Sequence, residues 1–383
     1  MFNQKIDRKQ TGSLKWQKYA GKDIIPLWVA DMDFASPPPV LDALHARVDH
    51  GVMGYTKPYE SVEQEVIAYL KREHGYEVKA EWLFWLPGIV PALNLICQAF
   101  ANEGGGVMIN SPVYPPFIFA PQWQGSTLQD VPLIVDANDR WTLDFDGMEA
   151  AVTPETKVYI LCSPHNPVGR VFDREELERL VDFCRRHDLL LISDEIHCDL
   201  VLDHDVKHIT TATVNEEAAK RTMTLMAPSK TYNVPGLACA FAILPEAKMR
   251  LAMMKACRGI ITEINCFGYA GCEAAYKHGE PWRQELLKVL RSNRELVYSF
   301  IAEHTPEISL RPMQAMYLAW MDVSALGLEN PCAYFESHGV GLSDGADFGD
   351  PTHLRLNFAC PREQLQAGLD RMRVAVETWR AKA

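Results

Sequence analysis

Short apolar runs alternate along the chain with longer stretches in which apolar residues recur at helical spacing. The runs with the length and composition of buried strands are 106–110, 127–131, 157–162, 189–193 and 222–226. The stretches with helical spacing are 60–75, 89–100, 173–187 and 281–304. Because strands that alternate with helices pair in parallel, we predict an α/β fold with a mostly parallel, doubly wound sheet.

The long predicted helix 281–304 leads into a last segment of mixed α+β character. We therefore expect three parts. Residues 1–48 form an N-terminal arm and part of a small domain, residues 49–284 form the large domain around the sheet, and residues 285–383 form the rest of a smaller α+β domain.

Composition and charge exclude several classes of function. Lys and Arg number 38 against 50 Asp and Glu, so the net charge is −12, and no basic block favours nucleic acid or an anionic membrane. No apolar run approaches the roughly 20 residues that span a bilayer, and the opening residues lack the apolar core of a secretion signal. The ten Cys are scattered without a CxxC pair, which indicates reduced thiols in a cytoplasmic protein and no metal site.

Three polar residues follow three of the predicted strands. Asn166 comes after 157–162, Asp194 directly after 189–193, and Lys230 after 222–226. In an open α/β sheet, ligands bind outside the carboxyl ends of the strands, so these side chains are predicted to meet in one crevice. An amine for a Schiff base, a carboxylate for a pyridinium nitrogen and a donor for a ring hydroxyl are what pyridoxal 5′-phosphate needs.

Each of the three also has a structural alternative. Lys230 fits a solvated surface lysine, and Asp194 fits the cap of a following helix. Asn166 lies in His-Asn-Pro-Val-Gly, which is turn chemistry, although a rigid turn would also hold its amide in place. An Asp that ends an apolar strand is costly to bury unless a cation meets it, and a protonated pyridine nitrogen is such a cation.

Other residues are candidates for the phosphate and the flat ring. Ile89 and Val90 follow Gly88 at a predicted helix start, where backbone N–H groups are free to bind a phosphate, and Ser229 adds a hydroxyl. Tyr114 lies among prolines in Ser-Pro-Val-Tyr-Pro-Pro-Phe, so it is either a stiff ring that stacks on the cofactor or an ordinary packing residue.

Two more side chains belong either to the site or to the framework. Arg355 lies in an alternating strand pattern, where it makes a surface ion pair or grips a substrate carboxylate with its planar fork. His197 follows Asp194 by three residues and either stacks near the cofactor or has a structural role.

Taken together, these segments resemble fold-type I pyridoxal-phosphate enzymes, the aspartate aminotransferase superfamily, over essentially the whole chain. The resemblance is most specific to the MalY/PatB-type carbon–sulfur lyases. The motifs that carry it are Trp-Val-Ala-Asp-Met-Asp-Phe at 28–34, Gly-Tyr-Thr at 54–56, Pro-Val-Tyr-Pro-Pro-Phe at 112–117, Asp-Glu-Ile-His at 194–197 and Ser-Lys-Thr-Tyr-Asn at 229–233.

The resemblance implies a role for each candidate. It makes Lys230 the Schiff-base lysine and assigns the pyridine nitrogen to Asp194, the ring oxygen to Asn166, the stacking ring to Tyr114 and the substrate carboxylate to Arg355. It also places Trp28 and Ala30 on the substrate side. The resemblance further implies a homodimer in which Tyr55 reaches the partner subunit's site near the phosphate and takes part in catalysis.

The implied activity is α,β-elimination from L-cystathionine or an L-cysteine-type substrate, which yields a thiol or sulfide, pyruvate and ammonia. One departure bears on this activity. Many aminotransferases of the superfamily carry an Arg eight residues after the lysine and a Ser three residues before it, where this chain has Ala238 and Ala227. A phosphate must then be held by backbone, Ser229 and Tyr55. An aminotransferase and a cofactor-binding protein with a regulatory protein partner stay as alternatives.

Overall fold

The computed structural model describes residues 1–261 and 263–382. The helices are α1 Leu14–Gln17, α2 Pro38–His50, α3 Glu60–His74, α4 Ile89–Phe100, α5 Pro115–Trp123, α6 Phe145–Ala151, α7 Arg174–Arg186, α8 Glu216–Arg221, α9 Ala247–Cys257, α10 Cys266–His278, α11 Glu280–His304, α12 Pro331–Ser337 and α13 Arg362–Arg380. The strands are β1 Ile25–Pro26, β2 Leu83–Leu86, β3 Gly106–Ile109, β4 Thr127–Asp130, β5 Ile134–Val135, β6 Trp141–Thr142, β7 Thr156–Cys162, β8 Leu190–Asp194, β9 Thr222–Met226, β10 Ala240–Ile243, β11 Ser309–Leu310, β12 Leu318–Asp322, β13 Val340–Gly341, β14 Ser343–Asp344 and β15 His353–Asn357.

The main sheet has seven strands in the order β2-β10-β9-β8-β7-β3-β4. The five strands from β9 to β4 are parallel, as predicted. At the other edge, β10 runs antiparallel to β9, and β2 runs antiparallel to β10. The sequence pattern missed this pair of strands. An antiparallel neighbour needs no crossover helix, so it leaves no βα alternation to read.

Both faces of the main sheet are covered. Along β7, Val158 and Ile160 pack into one apolar cluster with α4, whereas Tyr159 and Leu161 pack into another with α7. Side chains alternate between the faces of a strand, so burial on both faces explains why these strands read as continuous apolar runs. The layering confirms a doubly wound α/β sheet.

The C-terminal part contains a second sheet, antiparallel, in the order β11-β12-β15-β14. Strand β1 of the N-terminal arm pairs in parallel with β13, with Ile25 opposite Val340. This pairing joins the N-terminal arm to the C-terminal part of the chain. The division into domains at residues 48 and 284 stays a prediction. In the part of the chain that the structure describes, no helix has the length and apolar character to cross a membrane.

Candidate active site

A cavity of about 250 Å³ lies at the carboxyl ends of β7, β8 and β9. Most of the predicted site residues line it. They are Ala30, Ile89, Val90, Tyr114, Asn166, Asp194, His197, Ser229, Lys230 and Arg355. The cavity brings together residues that are up to 325 positions apart in sequence, from Ala30 to Arg355.

Lys230 lies in the turn that follows β9 and extends its amine across the cavity. Its Nζ donates a hydrogen bond to the carbonyl oxygen of Ala30 at 2.7 Å. Burial, reinforced by the positive charge of Arg355, lowers the pKa of Lys230 to about 8. An amine with such a pKa is partly unprotonated near neutral pH, which is the state that attacks a carbonyl and accepts a proton.

Asp194 is the last residue of β8 and is only 3% exposed. Its Oδ1 accepts one hydrogen bond, from the backbone N–H of Ile196 at 3.2 Å, and no cationic side chain of the described residues forms an ion pair with it. Burial, with a smaller contribution from the charge of Glu195, raises its pKa to about 7. Residues 196–199 form a turn and not a helix, so the interpretation of Asp194 as a helix cap is wrong.

Arg355 and Asn166 also line the cavity, and their side chains contact each other. Arg355 donates from Nη1 to Asn166 Oδ1 at 2.9 Å, and from Nη2 to Trp28 O and Ser343 Oγ, both at 3.3 Å. Its guanidinium lies 4.5 Å from the ring centre of Phe348. Burial lowers its pKa to about 10, and none of the described carboxylates is paired with it. It remains a cation, so the cavity presents a site for an anion.

The Asn166 amide has a fixed orientation because Arg355 holds its oxygen. Its amide nitrogen donates to no residue that the structure describes, so that nitrogen is available to a ligand oxygen. Asn166 thus lies in a turn and lines the cavity, and its role as a donor to the cofactor stays a prediction.

One end of the cavity is lined by backbone donors. Gly88 precedes α4, and the N–H groups of Ile89 and Val90, in the first turn, have no partner within the helix. The half-buried Ser229 adds a hydroxyl. Ala227 and Ala238 line the same cavity, so neither contributes a donor side chain. This end therefore offers free N–H groups and the positive end of the helix dipole to an anion.

Tyr114 and His197 line the space between the two ends. Tyr114 is half-buried, and burial raises its pKa, so its phenol stays protonated. His197 is 2% exposed, and burial, followed by the charges of Lys230 and Arg355, holds its pKa well below the usual range. Its ring is therefore neutral, and Nδ1 has no partner within the described residues.

Two predicted residues lie outside this cavity. Tyr55 is in the segment between α2 and α3 and is fully exposed. Trp28 lines a neighbouring cavity instead, and its Nε1 donates to Lys15 O at 2.9 Å. Cys162 and Cys239 line the site but were missed. The strand-end rule would have found Cys162, because it is the last residue of β7.

The cavity fits pyridoxal phosphate. Asp194 is a buried carboxylate that needs a cation, Asn166 has a free donor, and Lys230 has a perturbed amine beside them. The first turn of α4 has free donors for a phosphate at the other end. These groups correspond to the pyridine nitrogen, the ring oxygen, the aldehyde and the phosphate of the cofactor.

Comparisons with known proteins agree with this geometry. The family described as "Aminotransferase class I and II" matches residues 22–372. Cystathionine beta-lyase PatB of Bacillus subtilis is 34% identical over 386 residues, which cover 98% of this chain and 99% of the relative. The crystal structure of OvoB has a TM-score of 0.95 at 40% identity, covering 98% and 99% of the two chains. Cystalysin from Treponema denticola, whose structure contains a pyridoxal 5′-phosphate cofactor, has a TM-score of 0.94 at 31% identity, covering 99% of both.

The chain belongs to the class I and II aminotransferase family and has the fold-type I architecture of pyridoxal-phosphate enzymes. Within that family it groups with PatB and MalY. The predicted fold class and the predicted family are confirmed.

Proposed function

We propose that the protein is a pyridoxal-phosphate-dependent carbon–sulfur β-lyase. It eliminates a thiol or sulfide from L-cystathionine or an L-cysteine-type amino acid and leaves pyruvate and ammonia. The observation that carries this proposal is the meeting, in one cavity, of a perturbed lysine, a buried carboxylate without a cation and a buried guanidinium without an anion. Full-length similarity to a cystathionine β-lyase supports the reaction type.

When bound, pyridoxal phosphate supplies an electron sink that stabilises negative charge at the substrate Cα. Asp194 holds the proton on the pyridine nitrogen, and Asn166 donates to the ring oxygen. Tyr114 stacks on the ring, and Arg355 orients the substrate by its α-carboxylate. Lys230, with a pKa of about 8, accepts the Cα proton. Lys230 or Tyr114 then returns a proton to the departing sulfur.

The phosphate is held by the N–H groups of Ile89 and Val90 and the hydroxyl of Ser229. Neutral His197 packs beside the ring without adding charge. Because Ala238 contributes no cation at this end, the helix start supplies most of the attraction for the phosphate.

Product analysis tests the function. The purified holoenzyme is expected to release pyruvate and a free thiol in equal amounts from L-cystathionine, and Lys230→Ala is expected to release neither. Amino transfer to a keto acid without thiol release would overturn the lyase in favour of an aminotransferase. Turnover no faster than with free pyridoxal phosphate would instead favour a regulatory binding protein.

The working form is a homodimer in which Tyr55 completes the partner subunit's phosphate site. Tyr55 is fully exposed within its own chain, and Val48, Val52 and Met53 beside it are 55%, 61% and 51% exposed. An exposed apolar run of this kind is typical of an interface.

Mixing of subunits tests the shared site. Tyr55→Ala and Lys230→Ala subunits, each inactive alone, are expected to regain activity on exchange, because about half of the dimers then carry one intact site. Asp194→Ala mixed with Lys230→Ala is the matched control. Both of those defects lie in one chain's own cavity, so every site stays damaged. If a tag shows exchange and the Tyr55→Ala mixture stays inactive, Tyr55 does not cross the interface.

We place the protein in the cytoplasm. All ten cysteines are free thiols, and nine of them are buried, which is typical of a reducing compartment.

A further inference from the structure

A second cavity, of about 460 Å³, adjoins the cofactor cavity. Val29, Tyr114 and Arg355 line both. The second cavity, which we call the outer chamber, is otherwise lined by Lys18, Trp28, Pro115 and residues of the C-terminal part. A substrate that Arg355 holds by its α-carboxylate therefore lies at the junction of the two cavities.

The acidic residues that line the outer chamber outnumber the basic ones. Its acidic residues are Glu336, Asp344 and Asp347, and Lys18 is its basic residue besides Arg355. Lys18 is already paired with Glu336 at 2.8 Å. Asp344 uses one oxygen to cap Ala346 N at 3.0 Å, and neither Asp344 nor Asp347 forms an ion pair with a described residue. Two carboxylates without a cation therefore face this space.

Three aromatic residues, Trp28, Tyr114 and Phe348, also line the outer chamber. The guanidinium of Arg355 lies 4.5 Å from the ring centre of Phe348. The ring of Trp28 already has the ammonium of Lys18 4.9 Å from its centre. Aromatic faces beside carboxylates form a surface that attracts cations.

Arg355 gives independent reason to place a ligand here. It is 4% exposed, its Nε has no partner within the described residues, and none of the described carboxylates neutralises it. This buried cation requires an anionic group where the two cavities meet. An amino acid bound there has its α-carboxylate fixed, and its side chain has the outer chamber to enter.

We propose that the outer chamber receives the departing thiol portion of the substrate and selects S-substituents that carry a positive charge. This rests on the proposed lyase function. Cysteine itself leaves the chamber without an occupant, and an anionic substituent meets Asp344 and Asp347. A substituent that ends in an amine is attracted by both of these carboxylates, whereas the ring of Trp28 is already occupied by the ammonium of Lys18.

Three S-substituted cysteines of similar length test the selection. S-(2-aminoethyl)-L-cysteine is cationic, S-propyl-L-cysteine is its neutral isostere, and S-(2-carboxyethyl)-L-cysteine is anionic. With the holoenzyme, kcat/KM for pyruvate release is expected to be at least about five-fold higher for the aminoethyl than for the propyl compound. It should be lowest for the carboxyethyl compound. Equal values, or a preference for the anionic compound, would overturn the proposal while the lyase function stands; no turnover of any compound would count against the lyase function itself.

The double variant Asp344→Asn, Asp347→Asn assigns the preference to these residues. Asn also caps a helix start, so the hydrogen bond to Ala346 N survives. The aminoethyl-to-propyl ratio of kcat/KM is expected to fall by about five-fold. The part of the ratio that remains reflects the greater acidity of the departing aminoethanethiol. Glu285→Gln removes one surface charge on α11, where Glu285 pairs with Lys288, and should leave the ratio unchanged. A ratio that stays the same in the double variant would overturn the assignment.

Discussion

Asp33 and Asp194 are both 3% exposed, yet their surroundings are opposite. Asp33 accepts hydrogen bonds from Lys15 at 2.7 Å, Arg8 at 2.6 Å and Trp16 at 3.0 Å. Although burial alone raises its pKa, the charge and hydrogen bond of Lys15 hold the pKa below its usual range. Asp194 has one backbone donor, and burial raises its pKa to about 7.

The difference separates framework from site. A buried charge whose partners are all present within the chain stabilises one arrangement of the chain. A buried charge without partners destabilises the chain unless a ligand supplies them, so it marks a binding site. The same criterion assigns His74 and Asp199 to the framework, because Tyr69 donates to Asp199 at 2.7 Å and His74 lies 3.5 Å from its other oxygen.

The two regions meet at Ala30. Asp31 and Asp33 anchor the segment around it to Arg8 and Lys15. The carbonyl oxygen of Ala30 accepts the hydrogen bond from Lys230. The ion pairs of Asp31 and Asp33 with Arg8 and Lys15, which we call the complete network, thus hold the backbone at Ala30 in place. Lys230 of the cofactor cavity, which we call the incomplete site, donates to that backbone.

Removal of the amine from the incomplete site is expected to have the largest effect. Lys230→Ala should lower turnover by at least about 10³-fold, because the nucleophile and the base are lost together. Borohydride reduction of the holoenzyme followed by peptide mapping should place the label on Lys230. When pyridoxal phosphate and borohydride are added to cofactor-free protein, the rate of labelling at Lys230 should rise as the pH passes about 8, since the neutral amine attacks the aldehyde. Lys288→Ala is the exposed control, and label on any other lysine would contradict the assignment.

In the complete network, loss of one partner should cost stability. Asp33→Asn leaves Lys15, which is fully buried, with only the more distant carboxylate of Asp31 at 3.9 Å, and should lower the free energy of unfolding by about 3 kcal/mol at pH 7. The folded-state pKa of Asp33 is lowered, so its contribution is present above the unfolded pKa and is lost as pH falls through the folded value. Urea titrations of the wild type and of Asp33→Asn at pH 7 and pH 3.5 measure the loss of this contribution. If the two proteins differ in their free energy of unfolding by the same amount at both pH values, charge is not the cause.

In the incomplete site, the corresponding Asp-to-Asn substitution should have the opposite effect on the free energy of unfolding of the cofactor-free protein. Asp194→Asn should raise the free energy of unfolding by about 1–3 kcal/mol at pH 8, because an unpaired buried carboxylate is removed. The folded-state pKa of about 7 lies above the ordinary 3.8, so the gain should appear as pH rises from 4 to 7 and vanish below that range.

The holoenzyme supplies the control for Asp194. There, Asp194→Asn should lower turnover by about 10²-fold, because the pyridine nitrogen loses its proton partner. Destabilisation of the cofactor-free variant at pH 8 would show that Asp194 already has a partner within the chain. The distinction between the two aspartates would then fail.

Local sequence pattern was sufficient for the parallel strands and for the residues at their carboxyl ends. Period and length identify β7, β8 and β9, and topology then requires that Asn166, Asp194 and Lys230 lie near one another. The pattern missed β2 and β10. β10 pairs with β2, which is far from it in sequence, and such pairing leaves no periodic pattern in the local sequence.

The partners of Arg355 were not predictable in the same way. Its contacts to Trp28 and Ser343 join residues 327 and 12 positions apart, through the pairing of β14 with β15 and the return of the N-terminal arm. The arm was expected to form part of the small domain, without any prediction of these contacts. The burial of Lys15 could not be predicted, because the sequence does not show that Asp33 lies beside it and neutralises its charge.

The smallest predicted effect lies where the two regions join. Tyr317, which is 1% exposed, donates to Ala30 O at 3.1 Å, the same oxygen that accepts from Lys230. Tyr317→Phe should lower the free energy of unfolding by about 1 kcal/mol and change kcat/KM by about three-fold at most, since Lys230 keeps its acceptor. Tyr159→Phe is the matched control, because the buried Tyr159 hydroxyl donates to Asn110 outside the cavity. It should cost similar stability without any change in kcat/KM. A loss of turnover beyond ten-fold in Tyr317→Phe alone would mean that this hydroxyl belongs to the incomplete site and not to the framework.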